Sequence, residues 1–85
     1  MSETKPKTLV YLVDDDYSIR DSLSLLIEST GQAVRCFDSA DAFLENFDPD
    51  QAGCLILDVR MPSMTGLELQ EELARRDFAI PIIFI

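Results

Sequence analysis

Apolar residues in this chain alternate between short continuous runs and stretches with helical spacing. The apolar runs cover residues 8–13, 33–37, 54–58 and 80–85; the first is uninterrupted after Thr8, the second contains Arg35 and the third ends in Asp58. Runs of this length, bounded by polar or turn-forming residues, are typical of strands buried on both faces of a parallel sheet. The pattern therefore predicts four strands.

Between these runs the apolar spacing predicts three helices. The first covers Ser18–Thr30, the second lies within 38–47 with Asp38 or Ser39 as its N-cap, and the third ends in the charged residues 74–77. The apolar positions assigned to the helices are Ile19, Leu23, Leu26, Ile27, Ala40, Phe43, Leu44, Phe47, Leu69 and Leu73. In the first helix, Leu23, Leu26 and Ile27 are sufficient for a face that packs in the core, and Ile19 is the weak member of this stripe.

Strands and helices alternate along the chain with short connections. Gly31 is the predicted stop of the first helix, and residues 48–53 and 59–66 are predicted loops, the second broken by Pro62 and Gly66. A β-α-β-α-β-α-β order implies a parallel sheet with right-handed crossovers and helices on both faces.

Composition narrows the class of protein. The chain has 85 residues, enough for one small domain, and a net charge of −9, which argues against a nucleic-acid or anionic-membrane surface. Its apolar runs are far shorter than the ~20 residues of a membrane helix. Residues 1–7 are polar and lack a secretory core, which predicts a flexible N-terminal tail and a cytoplasmic protein.

Histidine is absent, and the two cysteines are Cys36 and Cys54. If the strands that carry them flank a common central strand, they are about two strand spacings, or ~9–10 Å, apart. A disulfide needs a Cα separation below roughly 7 Å, so two buried free thiols are expected.

Four aspartates lie at the carboxyl ends of predicted strands: Asp14, Asp15 and Asp16 after the first, and Asp58 after the third. Ligands of open parallel sheets bind at these strand ends. Crowded carboxylates repel one another, and a hard cation such as Mg²⁺ relieves that repulsion. The alternative is structural: the three consecutive aspartates cap the first helix, and Asp58 starts a turn.

The loop after Asp58 adds a backbone group to this prediction. Pro62 and Gly66 impose an unusual path on the chain, which can present the carbonyl of Arg60 as a further metal ligand. The alternative is an ordinary connection between a strand and a helix.

Three segments together resemble the response-regulator receiver domain (CheY-like), most closely its NarL/FixJ subgroup. They are LVDDD at 12–16, LILDVRMPSMTGLEL at 55–69 and IPIIFI at 80–85. The resemblance covers residues 8–85 and implies a flavodoxin-like sheet of strand order 2-1-3-4-5. It also implies a part in the transcription regulation of a two-component system.

The same resemblance assigns roles to the acidic residues. Asp58 accepts a phosphoryl group from a sensor histidine kinase, and Mg²⁺ is bound by Asp15, Asp58 and the carbonyl of Arg60, with Asp14 acting through water. Asp16 has no direct role. The resemblance also places a kinase contact at Ile19 and Ser22, although helical spacing alone is equally consistent with Ile19 as a core residue.

Several features of that family are not found in these residues. A hydroxyl residue would follow the fourth strand and a lysine would end the fifth, together with a fourth and a fifth helix. The expectation is therefore the N-terminal portion of a receiver, truncated within its fourth strand, whose DNA-binding output domain lies elsewhere. Residues 80–85 would then form an unpaired sheet edge, which predicts self-association.

Two other functions compete with a phosphorylated signalling module. Asp14 and Asp16 form a D-x-D after a strand, as in haloacid-dehalogenase-like phosphatases, where Asp14 would be the nucleophile. That function leaves Asp58 and its loop unexplained. The other is an interaction module that keeps the fold without being phosphorylated. The signalling module, rather than an enzyme, is the favoured function.

Overall fold

The computed structural model describes residues 7–58, 60 and 64–85. Residues 1–6 of the predicted tail 1–7, and the loop residues 59 and 61–63, lie outside the described residues. The strands are β1 (Leu9–Val13), β2 (Ala33–Phe37), β3 (Gly53–Leu57) and β4 (Ile82–Phe84), and the helices are α1 (Tyr17–Glu28), α2 (Ala40–Asn46) and α3 (Gly66–Arg75).

The four strands form one parallel sheet in the order β2-β1-β3-β4. The predicted fold class is confirmed, and the order agrees with the 2-1-3-4 portion of the family's sheet. Val13 is aligned with Phe37 on one side and with Leu57 on the other. The last residues of these three strands therefore lie side by side at one edge of the sheet.

The main core lies on the face of the sheet covered by α2 and α3. It contains Leu9, Tyr11, Val13, Ala40, Phe43, Leu44, Leu55, Leu57, Leu69 and Leu73. Tyr11 is fully buried, and its hydroxyl accepts a hydrogen bond from the Asp48 amide at 3.1 Å. Its ring packs edge to face against Phe43, with centroids 5.2 Å apart. These contacts tie the loop after α2 to the central strand.

The opposite face carries α1 and is less completely covered. The side of α1 that meets the sheet contains Arg20, Leu23, Ser24 and Ile27, all half-buried. The prediction that Leu26 belongs to the core is wrong, because its side chain is 64% exposed. It lies at the margin of the apolar stripe, as does Ile19, which is 39% exposed. The stripe is wider than the surface of contact.

Both cysteines are free, as expected, but neither is buried. Cys36 is exposed and Cys54 is half-buried. They align with Leu12 and Val10 of β1, which places them on the side of the sheet that only α1 covers. Cys36 is also on an edge strand, which has a neighbouring strand on one side only, and the expectation that it is buried is therefore wrong.

Several element ends differ by a residue or two from their predicted positions. Gly31 does terminate the first helix region, with φ 88°. Ser39, rather than Asp38, caps α2 by accepting a hydrogen bond from the amide of Ala42. β4 is shorter than the predicted 80–85, although the Ile85 amide still donates to the carbonyl of Leu57 at 2.9 Å.

Candidate functional site

Three carboxylates meet at the carboxyl edge of the sheet. Asp14, Asp15 and Asp58 each place one carboxylate oxygen within 4.8 Å of the others. Asp14 is 1% exposed and Asp58 is 9% exposed, whereas Asp15 is open to solvent. The structure thus brings together the three predicted carboxylates, with two of them on the floor of the site and one at its rim.

The pairing of β1 with β3 creates this arrangement. The Asp58 amide donates to the carbonyl of Val13 at 3.1 Å, so the two strands stay in register up to the acidic residues. Each floor carboxylate then closes a tight turn: Asp14 Oδ1 accepts from the Asp16 amide and Asp58 Oδ1 from the Arg60 amide, both at 2.9 Å. The same hydrogen bond, donated by the amide two residues further on, therefore follows both strands.

Asp16 has a different role from its two neighbours. Its Oδ1 accepts hydrogen bonds from the amides of Ser18 at 2.9 Å and Ile19 at 3.4 Å, which makes it the N-cap of α1. The structural alternative is thus right for Asp16. The run of three aspartates serves two purposes, because two of them join Asp58 and the third begins a helix.

Burial and charge both act on Asp14. Loss of water around its carboxyl raises the pKa of Asp14 above its ordinary value, and the carboxylates of Asp58, Asp15 and Asp16 raise it further. The hydrogen bond from the Asp16 amide opposes this by favouring the ionised form. A cation bound among these groups would relieve both the burial cost and the repulsion.

We expect Asp14→Asn to stabilise the metal-free protein at neutral pH. A raised pKa means that the ionised carboxyl is less favourable folded than unfolded, so stability falls as the pH rises from about 4 through the folded-state pKa. The asparagine cannot ionise and keeps an oxygen to accept from the Asp16 amide. Thermal melts at several pH values check this.

The gain should shrink as the pH falls and vanish below the unfolded pKa of about 4, where Asp14 is neutral in both states. Asp21→Asn, at an exposed position of α1, is the matched control. A gain from Asp14→Asn that is the same at every pH would show that charge is not its cause.

The donor set suits a hard cation. It consists of carboxylate oxygens, the ligands that Mg²⁺ prefers, and it contains no thiol or imidazole. Arg60 lies in the turn beside Asp58, with its Nε 4.0 Å from Asp58 Oδ1 and its side chain 87% exposed.

The two residues predicted as a kinase contact, Ile19 and Ser22, are both exposed on α1, away from the main core.

One further residue of this site is not apparent from the sequence. The guanidinium of Arg20, on α1, reaches back and donates to the backbone carbonyl of Asp14 at 2.7 Å. Helical spacing gives no signal for this contact, because it depends on the path of the loop that joins β1 to α1.

An apolar groove of about 450 Å³ lies elsewhere, between α3 and the segment leading into β4. Its lining includes Leu73, Phe78 and Ile82 and none of the clustered aspartates.

In the part of the chain that the structure describes, no helix combines the length and apolar character needed to cross a membrane.

Comparisons with known proteins agree with this geometry. Residues 10–85 match the response regulator receiver domain family. The response regulator protein TmoT of Ectopseudomonas mendocina is 51% identical over 79 residues, which are 93% of this chain and 36% of TmoT. The transcriptional regulatory protein FixJ of Bradyrhizobium diazoefficiens is 40% identical over 76 residues, covering 89% of this chain and 37% of FixJ, which supports the predicted subgroup.

Solved structures show the same likeness. The response regulator StyR superposes with a TM-score of 0.89 at 51% identity, over 93% of this chain and 40% of StyR. TrrA from Thermotoga maritima, in complex with Mg(2+)-BeF, gives a TM-score of 0.79 at 26% identity, over 91% of this chain and 67% of TrrA. The chain spans about a third of the length of the curated relatives TmoT and FixJ. It belongs to the response regulator receiver domain family.

Proposed function

We propose that Asp58 is the phosphoacceptor of a two-component response regulator and that a sensor histidine kinase is its phosphoryl donor. The observation that carries this proposal is the position of Asp58, nearly buried at the end of β3 with carboxylates of Asp14 and Asp15 close to its own. A lone buried aspartate would be a poor acceptor, because both it and the incoming phosphoryl group are negatively charged. The neighbouring carboxylates allow a cation to bind, and the cation offsets this repulsion.

Mg²⁺ would be held by the carboxylates of Asp15 and Asp58 and by the carbonyl of Arg60, with Asp14 acting through water. The metal, when bound, supplies positive charge for the phosphoryl oxygens. The structure of TrrA in complex with Mg(2+)-BeF supports this assignment by likeness.

The residues of this chain hold the acceptor carboxylate in place for phosphoryl transfer. An oxygen of Asp58 attacks phosphorus, the bond from phosphorus to the histidine nitrogen of the kinase breaks, and that nitrogen keeps the electron pair. The turn closed by the Arg60 amide holds Asp58 Oδ1, which fixes the orientation of the carboxylate. Asp14, at the floor of the site, would contribute negative charge to the metal site without being exposed to the donor. Such transfer depends mainly on position and electrostatics.

Treatment with acetyl phosphate, a small phosphodonor, tests this function. We expect one phosphoryl group per chain in the presence of Mg²⁺ and far less after the metal is removed with a chelator, measured by intact mass. Equal incorporation with and without Mg²⁺, or none at all, would count against the proposal.

We expect millimolar Mg²⁺ to raise the melting temperature. A concentration ten times the dissociation constant stabilises by about 1.4 kcal/mol. For a domain of this size that amounts to roughly 8 °C. Asp15→Asn should lose most of the shift, because it removes a direct ligand at the rim. The absence of a shift in the wild type, or an equal shift in Asp15→Asn, would argue against this site.

We further propose that the start of α1, with Ile19 and Ser22, contacts the kinase. Ile19→Ala should slow phosphotransfer from the kinase but leave the rate with acetyl phosphate unchanged, because the contact lies outside the acidic cluster. The stability loss should be well below the 2–5 kcal/mol typical of core truncation, since Ile19 is 39% exposed.

Leu25→Ala is the control for that variant, because Leu25 is 61% exposed on another side of α1. A large stability loss for Ile19→Ala, with no specific effect on the kinase reaction, would make Ile19 a core residue instead.

The phosphatase alternative has little support in the geometry. Asp14, its nucleophile, is 1% exposed, and Asp16, the second acid of the D-x-D, is engaged as the cap of α1.

Relatives named as transcriptional regulators support a further proposal, that phosphorylation of the whole protein controls a DNA-binding output domain.

A further inference from the structure

Arg20 connects the second turn of α1 to the end of β1. Its Nη1 donates to the backbone carbonyl of Asp14 at 2.7 Å, and its guanidinium lies over the ring of Tyr17, 5.7 Å from the centroid. The side chain is half-buried. A charge-assisted hydrogen bond of this length is among the stronger contacts that a side chain makes to a backbone.

This bond acts on the peptide group that joins Asp14 to Asp15. The Asp14 amide is already held by the carbonyl of Phe37 at 3.2 Å, and its carboxylate by the amide of Asp16. The bond from Arg20 adds the carbonyl of Asp14 to these constraints. The direction in which the exposed Asp15 leaves the main chain is therefore fixed from one side by Arg20.

Arg20 has two opposite effects on a cation in the acidic cluster. Its positive charge, close to Asp14, repels the cation and weakens binding. Its hydrogen bond holds Asp15 in one orientation and strengthens binding, because a preorganised ligand loses less freedom when the metal arrives. The two effects predict opposite outcomes when the guanidinium is removed.

We infer that the second effect dominates and that Arg20 is a positioning residue for Asp15 as a ligand of Mg²⁺. This inference rests on the proposed function, since it concerns the same metal site. Arginine suits the role because its planar fork can hold a carbonyl and pack against an aromatic ring at once, which a lysine does less well.

Calorimetric titration of the full 85-residue chain with Mg²⁺ distinguishes the two effects. Arg20→Gln should bind Mg²⁺ about tenfold more weakly, as is typical when an outer partner of a metal ligand is lost. Arg20→Lys, which keeps the charge and one donor, should lie between Arg20→Gln and the wild type. Equal or tighter binding by Arg20→Gln would overturn the inference and leave the metal site itself intact.

Arg35→Gln is the matched control. Arg35 is an exposed arginine of β2 whose guanidinium contacts the ring of Phe37 and the carbonyl of Asn46, away from the acidic cluster. Its removal changes the net charge of the chain by the same amount, so it should leave Mg²⁺ affinity close to that of the wild type. Because loss of a positive charge by itself favours cation binding, a loss of affinity as large as that of Arg20→Gln would indicate a general disturbance of the protein and overturn the inference.

A second measurement needs no metal. In Arg20→Gln the amides of Asp16 and Ser18, which are bonded within the loop, should exchange hydrogen faster relative to amides in β1, and Arg35→Gln should not show this. Unchanged exchange would overturn the positioning role even if affinity fell. If the wild type bound no Mg²⁺, the proposed function would fail, and the exchange rates would still decide whether Arg20 holds the loop.

Discussion

We expect Asp58→Asn to take up no phosphoryl group from acetyl phosphate, while the protein remains folded. The asparagine retains an oxygen that can accept from the Arg60 amide, which Asp58 Oδ1 does at 2.9 Å. The turn after β3 should therefore survive. What is lost is the carboxylate nucleophile, and an amide oxygen does not replace it. Intact mass after treatment in Mg²⁺ measures the outcome.

Asp16→Asn is the control, because asparagine is an equally good cap for α1 and Asp16 is outside the cluster. It should be phosphorylated as fast as the wild type. Incorporation into Asp58→Asn at the wild-type level would contradict the assignment of Asp58, and loss in both variants would point to a general disturbance of the acidic loops.

We expect the 85-residue chain to self-associate through β4. Among the described residues this strand pairs with β3 alone, so its other edge presents unpaired backbone groups. Its end is also apolar and open: Ile83 is 52% exposed, Phe84 39% and Ile85 49%. Such an edge is a template for a strand from a second copy. Light scattering at high micromolar concentration should show species larger than a monomer.

Ile83→Lys should reduce this association, because a charge on the edge opposes pairing. Leu67→Lys is the matched control, since Leu67 is 69% exposed and belongs to α3 rather than to the strand. The net charge of −9 repels a second copy, so added salt should strengthen association by screening. A cooperatively folded monomer at high concentration would refute this prediction.

The sheet and the meeting of the carboxylates could be predicted from the sequence because both follow from simple rules. Continuous apolar runs separated by helical spacing specify a parallel sheet, and strands of similar length end at a common edge. Asp14 and Asp58, each directly after such a run, must then be neighbours if the first and third strands pair. Residue type alone could not tell that Asp16 turns away to cap α1.

The orientation of α1 was less predictable. Its apolar stripe is wider than its contact with the sheet, and spacing cannot show which part of a wide stripe is covered. The spacing therefore predicts Leu26 in the core, whereas the structure exposes Leu26 and places the charged residue Arg20 on the contact side. The prediction that Cys36 is buried is wrong for a related reason, since an edge strand has a neighbouring strand on one side only.

Close approaches between backbone segments also lie beyond sequence patterns. The sequence predicts Gly53 in a loop, yet it begins β3 opposite Leu9, and a Cβ at this position would collide with the Leu9 carbonyl. The capping box of Thr65 and Glu68 is a different case, because its T-x-x-E spacing is visible in the sequence.

The position of the phosphoryl group is the most direct test of the proposed function. Borohydride reduces an aspartyl phosphate at its acyl carbon, and peptide mass spectrometry then identifies which aspartate was modified. After treatment with acetyl phosphate and Mg²⁺, the expected result is reduction at Asp58 alone, abolished when Mg²⁺ is removed. Reduction at Asp14, or at no aspartate, would contradict a phosphoacceptor role for Asp58.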